Sequence, residues 1–177
     1  MALGKDYERQ DCALARALEL LGERWTLLIV RDAFYGVRRY NDFLAHLDVP
    51  RAVLAARLEA LVDAEVLERR PYQQTPLRHE YVLTERGREL WPAVNALAHW
   101  GARHLSPDGP SRIFTHAACG TRVDRTGACP ACGGYVPPDL LEIRPGPAAD
   151  RPHRDDPVSR ALREPHPMFE VMSAAGQ

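Results

Sequence analysis

His116, Cys119, Cys129 and Cys132 stand in the spacing H-x2-C-x9-C-x2-C. Two residues separate the candidate ligands in each half. A glycine follows the second ligand of each half, Gly120 in one and Gly133 in the other. Glycine lets a backbone turn close tightly around a metal. One imidazole and three thiolates make the closed tetrahedral set of a structural zinc site, with no position left for water. The spacing therefore predicts one structural zinc per chain. His116 takes the place of a fourth cysteine and is the least regular member. The rival reading is a CxxC redox pair, but such a pair usually opens a helix after a strand. Pro130 and the Gly133-Gly134 pair predict a turn instead.

These ligands need elements to hold them. Ile113-Phe114, Tyr135-Val136 and Leu141-Glu142-Ile143 are apolar enough for short strands, which predicts a zinc ribbon over residues 113–143. A unit of that size cannot bury enough surface alone, so metal binding and folding should be one event. The turn-rich Ser106-Pro107-Asp108-Gly109-Pro110 marks a linker over 106–112. From residue 144 to 177 the chain is rich in Pro, Arg and Asp, and composition predicts a disordered tail. His153 and His166 read as part of it. Met168-Phe169-Glu170-Val171-Met172 is an apolar island that could dock on the body or a partner.

The larger part, residues 11–105, has a different pattern. Cys12–Leu21 is a short amphipathic stretch ended by Gly22. Residues 23–35 offer Trp25, Leu28, Ile29 and Phe34 as core. Residues 39–84 then read as helix, turn, helix and two-stranded hairpin. In the second of these helices Leu54, Leu58, Leu61 and Val62 recur at helical spacing. Asp48 is a candidate N-cap for it, and Pro50 suits its first turn. Arg51, Ala52, Ala55, Ala56 and Glu59 flank or oppose the apolar stripe, and small alanines allow close approach to another surface. Period-two alternation begins near Val66 and returns over His79–Thr84, with Pro71, Gln73-Gln74 and Pro76 at the tip. That order is a winged helix-turn-helix, which lays its second helix in the major groove of DNA. Arg51, Ala52, Val53 and Ala55 are the candidates for base edges. Arg57 and Arg78 are candidates for backbone or minor groove, and Arg38, Arg39 and Asn41 for phosphate. Thr84 should cap a long helix to about His104, with Leu90, Val94, Leu97 and Trp100 as an apolar stripe. Pro92 should kink that helix or mark a late start. The stripe suits homodimerisation, packing on the chain's own first helix, or both.

Several segments, taken together, resemble a known family. Arg16–Gly22 after Cys12, then Arg24-Trp25-Thr26-Leu27-Leu28-Ile29, resemble the opening of HxlR-type transcriptional regulators. Pro50–Leu54 with Arg57–Leu61 resemble their recognition helix, and Tyr81–Leu90 their wing-to-last-helix join. The match covers about residues 11–104. It implies a dimeric winged-helix protein that binds a double-stranded DNA operator as repressor or activator. It also marks Cys12, since some members carry an N-terminal cysteine that senses oxidants, quinones or aldehydes. A helix start lowers a thiol pKa and favours that role, and Asp11 opposes it. The bland alternative is a small apolar residue at a helix interface. The ribbon goes beyond the minimal family pattern.

Composition bounds the rest. The chain has 177 residues and a net charge of −1, so any basic footprint must come from arrangement. Between residues 36 and 78 there are seven arginines and six acids. No apolar run is long enough to span a bilayer, and MALGKDYERQ lacks a secretory apolar region. Residues 1–10 read as a loose leader and the protein as cytoplasmic, with no membrane partner. Four cysteines in such a chain argue for metal or reactivity rather than disulfides. No nucleophile–base pair, open metal site or phosphate loop is present, so no enzyme is expected. The expectation is a mainly α (α+β) winged helix-turn-helix with a zinc ribbon, and an effector that is a small molecule or an oxidant. The alternative is a protein-interaction module that uses the ribbon as its contact.

Overall fold

The computed structural model describes residues 7, 11–149 and 155–172. Helices α1 (Ala13–Leu21), α2 (Thr26–Phe34), α3 (Tyr40–Leu47) and α4 (Arg51–Asp63) come first. The hairpin β1 (Leu67–Gln74) and β2 (Leu77–Leu83) follows, then α5 (Glu85–Arg88) and α6 (Trp91–His104). This is a winged helix-turn-helix. The C-terminal part adds β3 (Arg112–His116), β4 (Leu141–Pro145), α7 (Pro157–Ala161) and β5 (His166–Pro167), with strand order β3-β4-β5. Among the described residues, no helix is long and apolar enough to cross a membrane.

Local chemistry explains most boundaries. Gly22 closes α1, its N–H donating to the Leu18 carbonyl at 2.8 Å. The apolar spacing of α4 places Leu54, Leu58 and Leu61 fully in the core. Thr84 caps α5 as expected, its hydroxyl accepting from the Gly87 N–H at 3.1 Å. Pro92 marks a late start: the helix comes as two pieces, and Pro92 sits in the first turn of α6, where its missing N–H costs nothing. One cap differs. Asp48 closes α3 in the left-handed conformation, φ 54° and ψ 39°, instead of capping α4. Pro50 occupies the N-cap position of α4, so Asp48 lies too early to reach the first helical N–H groups. The wing also differs in length. Its strands run through Gln74 and Leu77, so Pro71 and the Gln73-Gln74 pair lie within the ladder, with an irregularity between Pro71 and Gln73.

The largest difference is the tail. Composition predicts disorder from residue 144, yet Arg144 and Pro145 complete β4, and residues 155–172 pack on the body. Val158, Leu162, Met168 and Met172 are buried. These four residues are too sparse to register in composition, but each fills a place in a core that already exists. Asp156 caps α7, its carboxylate accepting from the Ser159 N–H at 3.0 Å. The Phe169 N–H donates to the Phe34 carbonyl at 3.0 Å, and the Met172 N–H to Gly36 at 3.2 Å. Gly36 has φ +89°, and a Cβ there would lie 1.8 Å from the Glu170 carbonyl oxygen. Only glycine lets the segment cross at that point. The expected disorder of 150–154 (with His153) and 173–177, and the leader apart from Tyr7, lie outside the described residues.

One core joins all three parts. Trp91 of α6 is fully buried and meets Phe34 of α2 at 5.3 Å and Phe114 of β3 at 4.8 Å, edge to face. Phe34 also meets Phe169 of the C-terminal segment at 5.6 Å. Each such ring pair contributes about 0.5–1.5 kcal/mol beyond simple burial. Asn95 of α6 adds a polar link, its amide donating to the Asp124 carbonyl at 2.9 Å. Phe114→Ala should therefore cost about 3–4 kcal/mol. Helical circular dichroism and tryptophan fluorescence should lose that stability in one shared transition. A ribbon that melts alone, leaving the helices at their original midpoint, would refute the shared core.

Candidate functional site

The helix α4 presents a clean division. Leu54, Leu58 and Leu61 face inward, while Arg51, Ala52, Ala55, Ala56 and Glu59 are exposed. Val53 is half-buried against the core. The exposed face is thus small and flat, with one cation at its N-terminal end. Tyr40 of α3 fixes that end, its hydroxyl donating to the Arg51 carbonyl at 2.9 Å. The wing stands beside it. Arg78 is exposed near the tip, opposite Gln73. Asn41 is exposed in the first turn of α3.

The other arginines singled out from sequence are engaged within the chain. Arg57 forms an ion pair with Glu23 at 2.9 Å, tying α4 to the turn before α2. Arg38 donates to the Phe169 carbonyl at 3.3 Å and pairs with Glu80 at 3.7 Å. Arg39 lies over the Tyr72 ring, 4.8 Å from its centre, and so links the start of α3 to the wing. Tyr40 stands with Arg38, Arg39 and Asn41 at the helix start that the sequence marks for phosphate, whereas nothing in the sequence marks Tyr72. The role of Tyr72 depends on the hairpin folding back beside α3, and that of Tyr40 on α4 packing against α3.

The His116, Cys119, Cys129 and Cys132 side chains converge, with all four candidate ligand atoms within 4.8 Å of one another. Cys119 Sγ lies 3.5 Å from His116 Nδ1 and 3.5 Å from Cys129 Sγ. Tetrahedral zinc with bonds of about 2.0–2.3 Å needs ligand atoms about 3.5–3.8 Å apart, and the two distances from Cys119 are on that scale. Two tight turns bring the ligands together. The Gly120 N–H donates to the His116 carbonyl at 2.8 Å, and the Gly133 N–H to Cys129 at 2.9 Å. Both glycines have φ +70°. Hydrogen bonding from Thr121 pulls the Cys119 thiol down to about 6. The hydrogen bonds that Cys132 makes to Cys119 and Cys129 push its thiol up to about 11. Cys119 therefore deprotonates before Cys132, as expected for linked acids. Thr121, directly after Gly120, is a further residue that spacing did not reveal. Cys12 is apart from this cluster in sequence and lies exposed at the N-cap of α1.

The chain is similar to known transcriptional regulators. The family model described as HxlR-like helix-turn-helix matches residues 20–109. The uncharacterized HTH-type transcriptional regulator Rv3095 of Mycobacterium tuberculosis is 44% identical over 136 residues, 76% of this chain and 86% of that one. The uncharacterized HTH-type transcriptional regulator YdeP of Bacillus subtilis is 30% identical over 106 residues, covering 58% and 83%. The crystal structure of PA1607, described as a candidate transcription factor, is 32% identical with a TM-score of 0.54, covering 85% of this chain and 99% of that one. On the family match and the identity to Rv3095, the chain belongs to the HxlR-like helix-turn-helix family of transcriptional regulators.

Proposed function

We propose that the protein is a cytoplasmic, homodimeric regulator that binds a specific double-stranded DNA operator. The carrying observation is the exposed face of α4. Arg51 sits at its N-terminal end and Ala52, Ala55 and Ala56 leave the backbone free to approach a groove floor closely. A guanidinium at that position can fork onto guanine O6 and N7. Arg78 on the wing and Asn41 on α3 flank it, in position for the sugar-phosphate strands. Arg39 can reach phosphate while stacked on Tyr72. Arg38 and Arg57, held by protein partners, position the reading elements and add positive potential.

Dimerisation rests on uncovered apolar surface. The helix α1 has no buried residue, although Leu14 is 66% exposed and Leu18 39%. Leu97 and Trp100 of α6 are 54% and 57% exposed. Two helices of that character need a cover, and a second copy of the chain supplies one by two-fold symmetry. Paired reading helices then meet paired half-sites.

One zinc ion per chain would be held by His116, Cys119, Cys129 and Cys132. When bound, such an ion supplies only structure, since the donor set is closed. Its binding requires thiolates and releases their protons, so affinity falls as pH falls. Cys12 remains the candidate sensor of an oxidant or electrophile, because it is exposed, as reactivity demands.

Two outcomes are expected. In a salt series with the DNA upstream of its own gene, binding should weaken steeply with salt. Arg51→Ala should then cost about 1–3 kcal/mol and relax one base position, and Arg78→Ala should weaken all sequences evenly and reduce the salt slope by about 1. Parental affinity in both variants would sink the assignment of the reading face. Metal analysis of the purified protein should find zinc equal to the chain concentration. Cys129→Ser should lose the ion and lower the melting temperature. An equally stable protein after chelation would count against a structural metal.

A further inference from the structure

A cleft of about 480 Å³ lies between α2, α3, α6, β3 and α7. Its volume is within the range of small-molecule sites. Arg31, Tyr35, His46, Arg112 and Ser159 bring polar groups to it, and Ala98, Phe114 and Leu162 bring apolar surface. Arg31 is matched by the fully buried Asp32, donating two hydrogen bonds to one carboxylate oxygen at 2.9 and 2.7 Å. His46 stands between two carboxylates, 3.7 Å from Asp32 and 3.3 Å from Asp156. Arg112 differs. Among the described residues no carboxylate pairs with it, and its one side-chain hydrogen bond goes to the neighbouring Ser111 carbonyl at 2.8 Å. Tyr35 is 6% exposed, and among the described residues its hydroxyl has no protein hydrogen-bond partner. That hydroxyl is not sealed from water, and it lines the cleft, where a ligand can accept from it.

We propose that this cleft binds a small organic monocarboxylate with an apolar body, and that its occupancy is felt by the DNA-reading helices. A guanidinium with no acid partner among the described residues fits one negative charge. A carboxylate accepts from Arg112 and from the Tyr35 hydroxyl together, satisfying both. The carbon skeleton then lies on Phe114, Leu162 and Ala98. A bare inorganic anion would leave that wall unused. The route to the reader is short. His46 belongs to α3, and Ser159 Oγ is 3.3 Å from its Nδ1, so a ligand that draws α6, β3 and α7 together acts directly on the helix that precedes α4. This second half rests on the DNA-binding reading above; the site itself does not.

Calorimetric titration of the full-length protein tests the site, and its DNA affinity measured with and without carboxylate tests the coupling. The probes are benzoate, phenylacetate, salicylate and indole-3-acetate, with benzamide and inorganic phosphate as controls. The carboxylates should bind saturably below about 10 mM, the range in which such small ligands are held, and benzamide should bind at least about tenfold more weakly. Arg112→Gln and Tyr35→Phe, which keeps the buried ring, should each weaken the carboxylates about five- to tenfold, while melting like the parent. No saturable carboxylate binding, equal binding of benzamide, or a preference for phosphate would overturn the site. Carboxylate binding that leaves DNA affinity unchanged would overturn the coupling. Carboxylate binding by a protein with no DNA affinity would instead overturn the DNA-binding reading and leave the site standing.

Discussion

Everything in this molecule turns on the burial of Trp91. Its ring begins α6, and it meets Phe34 of α2 on one side and Phe114 of β3 on another. Phe169 reaches the same group from the far end of the chain through Phe34. The winged helix, the strands β3 and β4 and the C-terminal segment therefore share apolar contacts instead of owning separate cores. The short segment that carries β3 and β4 would alone lack the area to stay folded. Here its strand β3 borrows stability from α2 and α6, and in turn covers them.

That sharing explains what could be read from sequence. Helices α2, α3 and α4 were legible because Ile29, Phe43, Leu54 and Leu58 follow the 3.6-residue period closely. The hairpin was legible from alternation. Pro92 announced its break because it lacks an N–H. Asp48 was misplaced by two residues, since cap chemistry alone does not say which side of a turn a helix starts on. The C-terminal segment was illegible for a stronger reason. Val158, Leu162, Met168 and Met172 form no periodic pattern of their own. Their burial depends on a surface made by α2, α3 and β4, distant in sequence.

The candidate sites divide the same way. His116, Cys119, Cys129 and Cys132 were legible because ligand type and spacing are local. The exposed face of α4 was legible because it is simply the complement of its apolar stripe. Whether an arginine is free or occupied was not. Arg57 finds Glu23, Arg38 finds Glu80 and the Phe169 carbonyl, and Arg112 finds no acid among the described residues. Such pairings are decided by chain reversal, which single-residue chemistry does not encode. The cleft that Arg112 lines draws on five elements, so no stretch of sequence could announce it.

The crossing of residues 168–172 over α2 also sets an order of events in time. Synthesis proceeds from the N-terminus, and domains generally fold as they emerge. The winged helix leaves the ribosome early, yet Phe34 and Gly36 wait for backbone partners and a ring that arrive only with Phe169 and Met172. Until then α2 carries an open seam. The nascent winged helix cannot close its own core ahead of the C-terminal segment, so newly made chains complete their fold late and all at once.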